Sequence, residues 1–181
     1  MMRLYYRGLS EIRGAEQIGL IVLTDEVQTR QIVVVCDEHI IFQFRLRMQK
    51  DIPCHRLLPE VLAQTLKRDS ESSYNLTITS LENGVYKTML VNEKTQERTA
   101  VRAGDGLLFA HVANLPIYID ELLFTKQSVP FKPKATGLSL PINAISEEML
   151  QDALKTAIER EDYEMAEHLN QELKRRKQKQ E

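Results

Sequence analysis

Arg102 and Asp105 stand three residues apart where a strand pattern gives way to a helix pattern. A carboxylate at such a junction could hold a divalent metal, and an arginine could grip a phosphate through two parallel N–H donors. The same pair also reads as a helix-start aspartate beside a neighbouring arginine, favourable to the helix dipole. Gly104 and Gly106 flank the aspartate; they either let a phosphate approach the backbone N–H groups or make a tight turn. Asp37, Glu38 and His39 follow a strongly apolar run. They read either as ligands at a strand end or as a capped helix start with a solvated histidine. Arg45, Arg47, Lys50, His55 and Arg56 form a basic stretch, which either contacts a phosphate backbone or is a solvated face. Cys54-His55 suggests a thiol nucleophile, but adjacent side chains rarely face each other and no third group accompanies them. Cys36 reads as a small buried apolar residue.

These residues need elements to position them. Leu4, Tyr6 and the run 19–23 predict two short strands. Residues 31–36 (QIVVVC) are β-branched and apolar throughout, which suits a strand buried on both faces. Asp37 then caps a helix from 38 to about 48, with Ile40, Ile41, Phe44 and Met48 at helical spacing. A second helix runs from Pro59 to Lys67. Residues 74–81 alternate with period two, Asn83-Gly84 is a hairpin turn, and 85–91 is the return strand. A third strand at 97–102 completes an antiparallel meander, followed by a helix at 107–112 and a strand at 115–119. Strands mixed with short packed helices predict an α+β fold with a mixed sheet.

Residues 127–145 carry Pro130, Pro133, Pro141 and Gly137 and read as a proline-stiffened linker. Beyond it, Ser146 caps a helix with an apolar stripe at Leu150, Ala153, Leu154 and Ala157. Met165, Ala166, Leu169 and Leu173 give a second stripe. Two helices this short should pair as a hairpin, so the predicted organisation is 1–126, linker 127–145 and hairpin 146–177. The chain's 181 residues suffice for a core without metal or disulfide staples, and two cysteines make no disulfide framework. A net charge of −2 excludes a strongly basic nucleic-acid coat, though not a local basic groove. With aromatic residues at 6% and no Trp, a base-stacking platform is not expected. The longest apolar runs fall far short of the roughly 20 residues that span a membrane, and the start of the chain lacks a signal-peptide pattern, so the expected compartment is the cytoplasm.

Two stretches resemble known families. SEEMLQDALKTAIEREDYEMAEHLNQELKRRK (146–177) resembles the UVR motif, a helical hairpin of excision-repair proteins and of partners of chaperone-proteases. The likeness lies in the apolar spacing, the turn at Glu161, Asp162 and Tyr163, and Ala166 followed by Leu169; it implies a protein partner at the hairpin. Residues 16–126 resemble the bacterial bifunctional nuclease family, in Arg30 with QIVVVC, in LENGVYKTMLV, in Arg102-Ala103-Gly104-Asp105-Gly106 and in LPIYIDELL. Cys36 stands where the family has a glycine, His39 where it has a glutamate, and Glu60 near the family's Thr-His-Asp helix start. This resemblance implies hydrolysis of DNA or RNA phosphodiesters, with Mg²⁺ or Mn²⁺ as the metal. It implies Asp105 as metal ligand and Arg102 as phosphate clamp. Glu38, His39 and Glu60 are further catalytic candidates, with Arg45, Arg47 and Arg56 as nucleic-acid contacts. A homo-oligomer, most simply a dimer, is expected from the family and from open sheet edges. The alternative is a non-catalytic adaptor that keeps the fold and binds a partner through its hairpin.

Overall fold

The β-branched run starting at Gln31 becomes β3 (Arg30–Asp37), which pairs antiparallel with β2 (Ala15–Thr24). β2 in turn pairs with β1 (Met2–Ile12). Both β1 and β2 are longer than the short strands expected. In the computed structural model, residues 1–12, 15–49, 53–68, 73–131, 147–159, 161 and 163–177 are described. The predicted meander is present as β4 (Tyr74–Glu82), β5 (Val85–Asn92) and β6 (Arg98–Arg102). Its first turn takes positive φ at both Asn83 (50°) and Gly84 (79°), which these two residues tolerate at least cost. β7 (Ile117–Ile119) joins the two halves, parallel to β4 and antiparallel to the start of β1. A short strand β8 (Val129–Pro130) pairs with the beginning of β3. The result is one mixed sheet of eight strands, in the order β6-β5-β4-β7-β1-β2-β3-β8, within an α+β fold.

The helices of the first 127 residues pack on one face of this sheet. α1 (Glu38–Met48) starts where expected, and the Asp37 carboxylate accepts from Ile40 N–H at 3.0 Å as its cap. It buries Ile40, Ile41 and Phe44. α1 lies so close to β2 that a Cβ at Gly19 would collide with Ile41. α2 (Leu58–Arg68) follows a short 3-10 turn at Cys54–Arg56. α3 (Ala103–Ala113) is buried along almost its whole length, against Leu76, Ile78, Ile117 and Ile119 of the sheet and Ile40 of α1.

α3 begins four residues before the expected start at 107, a correction with a packing cause. Two glycines lower intrinsic helix propensity, but burial of the turn recruits them. A Cβ at Gly104 would stand 3.1 Å from Ile40 Cγ1 and 3.3 Å from Cys36 Sγ, and one at Gly106 only 2.8 Å from Leu76 Cδ1. The glycines therefore let α3 approach α1, β3 and β4, rather than forming a phosphate loop ahead of the helix. α4 (Glu121–Gln127), capped by Asp120, was not anticipated from the sequence; its Phe124 enters the core. Val129 and Pro130 fall in the stretch read as linker, yet pair with β3; proline is tolerated there because the strand lies at the sheet edge.

The C-terminal helices α5 (Glu147–Glu159) and α6 (Tyr163–Lys177) pack against each other through Leu150, Leu154, Ala157, Ala166, Leu169 and Leu173. The expected cap at Ser146 and most of the expected linker lie outside the described residues. Among the described residues no helix is long and apolar enough to cross a membrane.

Candidate functional site

β6 ends at Arg102 and α3 starts at the next residue, so Arg102 and Asp105 face one another across the first helical turn. Arg102 Nε donates to Asp105 Oδ2 at 2.6 Å. Its NH1 donates to Asp37 Oδ2 at 2.8 Å, across 65 residues of sequence. The Arg102 guanidinium is thus held between two carboxylates, one at the end of β3 and one on α3. All three side chains are roughly half exposed, at 59%, 47% and 46% for Arg102, Asp37 and Asp105. The Asp105 hydrogen bond, with the charges of Asp105 and Asp37 and the Asp37 hydrogen bond behind it, holds the Arg102 pKa above its usual value, and burial opposes them. Asp37 does double duty, since its other oxygen caps α1.

Beneath this cluster lies a groove of about 180 Å³, lined by Val34, Cys36, Ile40, Tyr86 and Gly104, with Asp37 and Arg102 at its mouth. Burial pushes the Cys36 thiol up to about 12, and the adjacent Asp37 charge acts in the same direction. The thiol stays protonated at neutral pH and is no nucleophile.

The other candidates lie elsewhere. Glu38 and His39 are exposed on the first turn of α1, and Asp37, not either of them, completes the cluster with Arg102 and Asp105. Glu60 opens α2 and accepts two hydrogen bonds from Arg47, Nε at 2.7 Å and NH2 at 2.8 Å. Arg47 also donates to the Gln43 carbonyl and side chain. With side-chain exposures of 7% and 16%, Arg47 and Glu60 tie α1 to α2 and present little charge to solvent. Arg45 is exposed on α1, and Arg56 is exposed in the 3-10 turn. Asp37 was legible in the sequence as a cap or a strand-end ligand; its pairing with Arg102 follows from the packing of α3 against β3. His111, singled out by no motif, makes tilted ring contacts with Tyr6 and Phe44, with centroids 4.8 and 5.4 Å away.

Among the described residues, no group of three or more His, Cys, Asp or Glu side chains is placed to hold a metal ion. Among the described residues there is thus no closed metal cage; Asp37 and Asp105 each give one oxygen to a different nitrogen of the Arg102 guanidinium.

The model of the bifunctional nuclease domain matches residues 21–132, which include Asp37, Arg102 and Asp105. Among curated proteins, none matches the chain.

Proposed function

Since the chain belongs to the bifunctional nuclease domain family, we propose that it hydrolyses phosphodiester bonds of DNA or RNA at the mouth of the Arg102 groove. The observation that carries this reading is the clamping of one arginine by Asp37 and Asp105 at an exposed strand-to-helix junction. Each carboxylate takes one N–H of the guanidinium, and the donors that remain can hold a phosphate in a fixed plane. Arg102 with two aspartates carries a net negative charge, which alone would repel a phosphodiester. A bound Mg²⁺ or Mn²⁺ would supply the missing positive charge, with Asp105 and Asp37 as the residues to hold it. In this reading the Asp105 carboxylate orients the attacking water.

The test is cleavage of labelled DNA and RNA with Mg²⁺ or Mn²⁺. Asp105→Asn should keep the fold, because asparagine also suits a helix start, and should lower the rate by about two to three orders of magnitude. Arg102→Lys should also lower it, because lysine lacks the planar fork. Undiminished cleavage by Asp105→Asn, or no metal-dependent cleavage by the wild type, defeats the reading.

A second reading has its own observation. The α5–α6 pair builds a separate apolar cluster yet leaves Ile158 and Tyr163 exposed, at 54% and 69%. That favours an adaptor role in which this UVR-like hairpin binds a protein partner, with or without hydrolysis by the nuclease-like domain. Self-association is proposed through β6, an exposed edge strand that could pair with a second copy.

A further inference from the structure

The two faces of the sheet differ sharply between β6 and β1. One packs on the helices. On the other, the strand register brings Ala100, Met89, Thr77, Tyr118 and Arg3 into a single row across β6, β5, β4, β7 and β1. Alternation along the strands adds Lys87 and Arg98 at one end of the row and Tyr5 at the other, and Arg7, at an irregularity of β1, reaches Tyr5 and Thr24 there. Arg3, Arg7, Lys87 and Arg98 are exposed, and Tyr5 and Tyr118 are partly so. The guanidinium carbons of Arg3 and Arg7 lie 5.3 and 5.8 Å from the centre of the Tyr5 ring, and Arg7 Nε also donates to Thr24 at 2.9 Å. Lys87 pairs with Glu82, but among the described residues no carboxylate pairs with Arg3, Arg7 or Arg98. Past β1 the same face closes over Leu20, Val22 and Val33, which are buried, so the open part ends there. At the opposite end a shallow groove of about 550 Å³, bordered by Lys87, Met89 and Ala100, leads to Arg102.

We propose that this open sheet face is the binding surface for a single-stranded nucleic acid, with Arg3, Arg7 and Arg98 on its phosphates and Tyr118 stacking on a base. The inference rests on the hydrolytic reading above and gives its substrate class. Charge complementarity selects the occupant: cations without carboxylate partners, interleaved with tyrosines on a pleated surface, match a strand whose bases are unpaired. A duplex hides its base faces and gives Tyr118 nothing to stack on. Composition alone argued against stacking, because aromatic residues are few; the register gathers two tyrosines where the arginines are. Four inter-strand gaps of about 4.8 Å make the row about 19 Å long, so a strand crossing it contacts several nucleotides before reaching Arg102.

The experiment is fluorescence anisotropy of labelled oligothymidine and of a labelled duplex with the full chain, over a range of salt. The paired change Arg3→Ala with Arg7→Ala should weaken oligothymidine binding and reduce the slope of log affinity against log salt by about 1.4, two phosphate contacts' worth. Tyr118→Ala should weaken it about 5- to 150-fold while Tyr118→Phe keeps it. Arg3→Gln with Arg7→Gln serves if the alanine pair fails to fold. Unchanged affinity or slope in folded arginine variants overturns the proposal, as does a duplex that binds as tightly as the single strand. Bis(p-nitrophenyl) phosphate, too small to reach the row, separates this from the hydrolytic reading. If it is cleaved while oligothymidine binding ignores these substitutions, the surface falls and hydrolysis stands. If it is not cleaved while binding follows them, hydrolysis falls and the surface stands.

Discussion

Glu60→Ala should cost stability rather than chemistry. Glu60 takes two hydrogen bonds from Arg47, whose remaining contacts are to Gln43, and the arginine side chain is only 7% exposed. Removing the carboxylate leaves a buried cation facing only dipoles. Breaking one partner of such a pair costs about 3–5 kcal/mol. Glu60 itself is 16% exposed, so water can enter, and the lower end applies. A loss of about 3 kcal/mol in a chain of this size corresponds to a fall in Tm of about 6–12 °C. The double change Arg47→Met with Glu60→Leu removes both charges and should recover most of that loss. Thermal melts of the wild type, the single variants and the double variant give the measurement. Cleavage per folded molecule, assayed well below the melt, should stay at the wild-type level in Glu60→Ala. A melt within about 2 °C of wild type, or a folded Glu60→Ala protein that no longer cleaves, would refute the reasoning and return Glu60 to the candidate site.

Two other outcomes follow from the packing of α3. Gly106→Ala should lower stability by about 1 kcal/mol, because overpacking of about 1–3 kcal/mol outweighs a helix gain of about 1 kcal/mol. The new methyl would meet Leu76 Cδ1 at 2.8 Å and Val101 Cγ1 at 3.0 Å, and Leu76 is fully buried; a raised Tm would show that the core yields freely. His111 is depressed below its usual 6.5 by burial and then by the Arg47 charge, so the unfolded chain takes up the proton first as pH falls. Stability should therefore decline below pH 6.5 until the folded imidazole also protonates, and His111→Gln should flatten that decline in denaturant midpoints between pH 7.5 and 5. Asp25 and Glu93, held below the usual carboxylate range, act only at lower pH and leave this window to the histidine.

The parts of the fold that were legible in the sequence are those where local chemistry and tertiary packing agree. The apolar run into Asp37, the cap and α1 form one such stretch, and Asn83-Gly84 forms another. α3 was legible only from Leu107, because Gly104 and Gly106 oppose a helix locally and the reason for them, close approach to Ile40, Cys36 and Leu76, is tertiary. α4 and β8 were hidden by composition, since Pro130 reads as linker until an edge position makes it acceptable. The candidate site divides in the same way. Arg102 and Asp105 are visible as a spacing, but Asp37 lies 65 residues away and reaches Arg102 only through the packing of β3 beside α3.

A net charge of −2 and few aromatic residues argue against a nucleic-acid surface only if both are spread evenly over the molecule. They are not. The alternation in β1 sends Leu4 and Tyr6 toward the core and Arg3 and Tyr5 to the opposite face, where Arg7 meets Tyr5 and β7 sets Tyr118 directly beside Arg3. A binding surface is set by local density of charge and rings, which register controls and composition averages away. Arg102 sits where that face meets the groove above Cys36, so one strand of the sheet can carry both the grip on a nucleic acid and the group that acts on it.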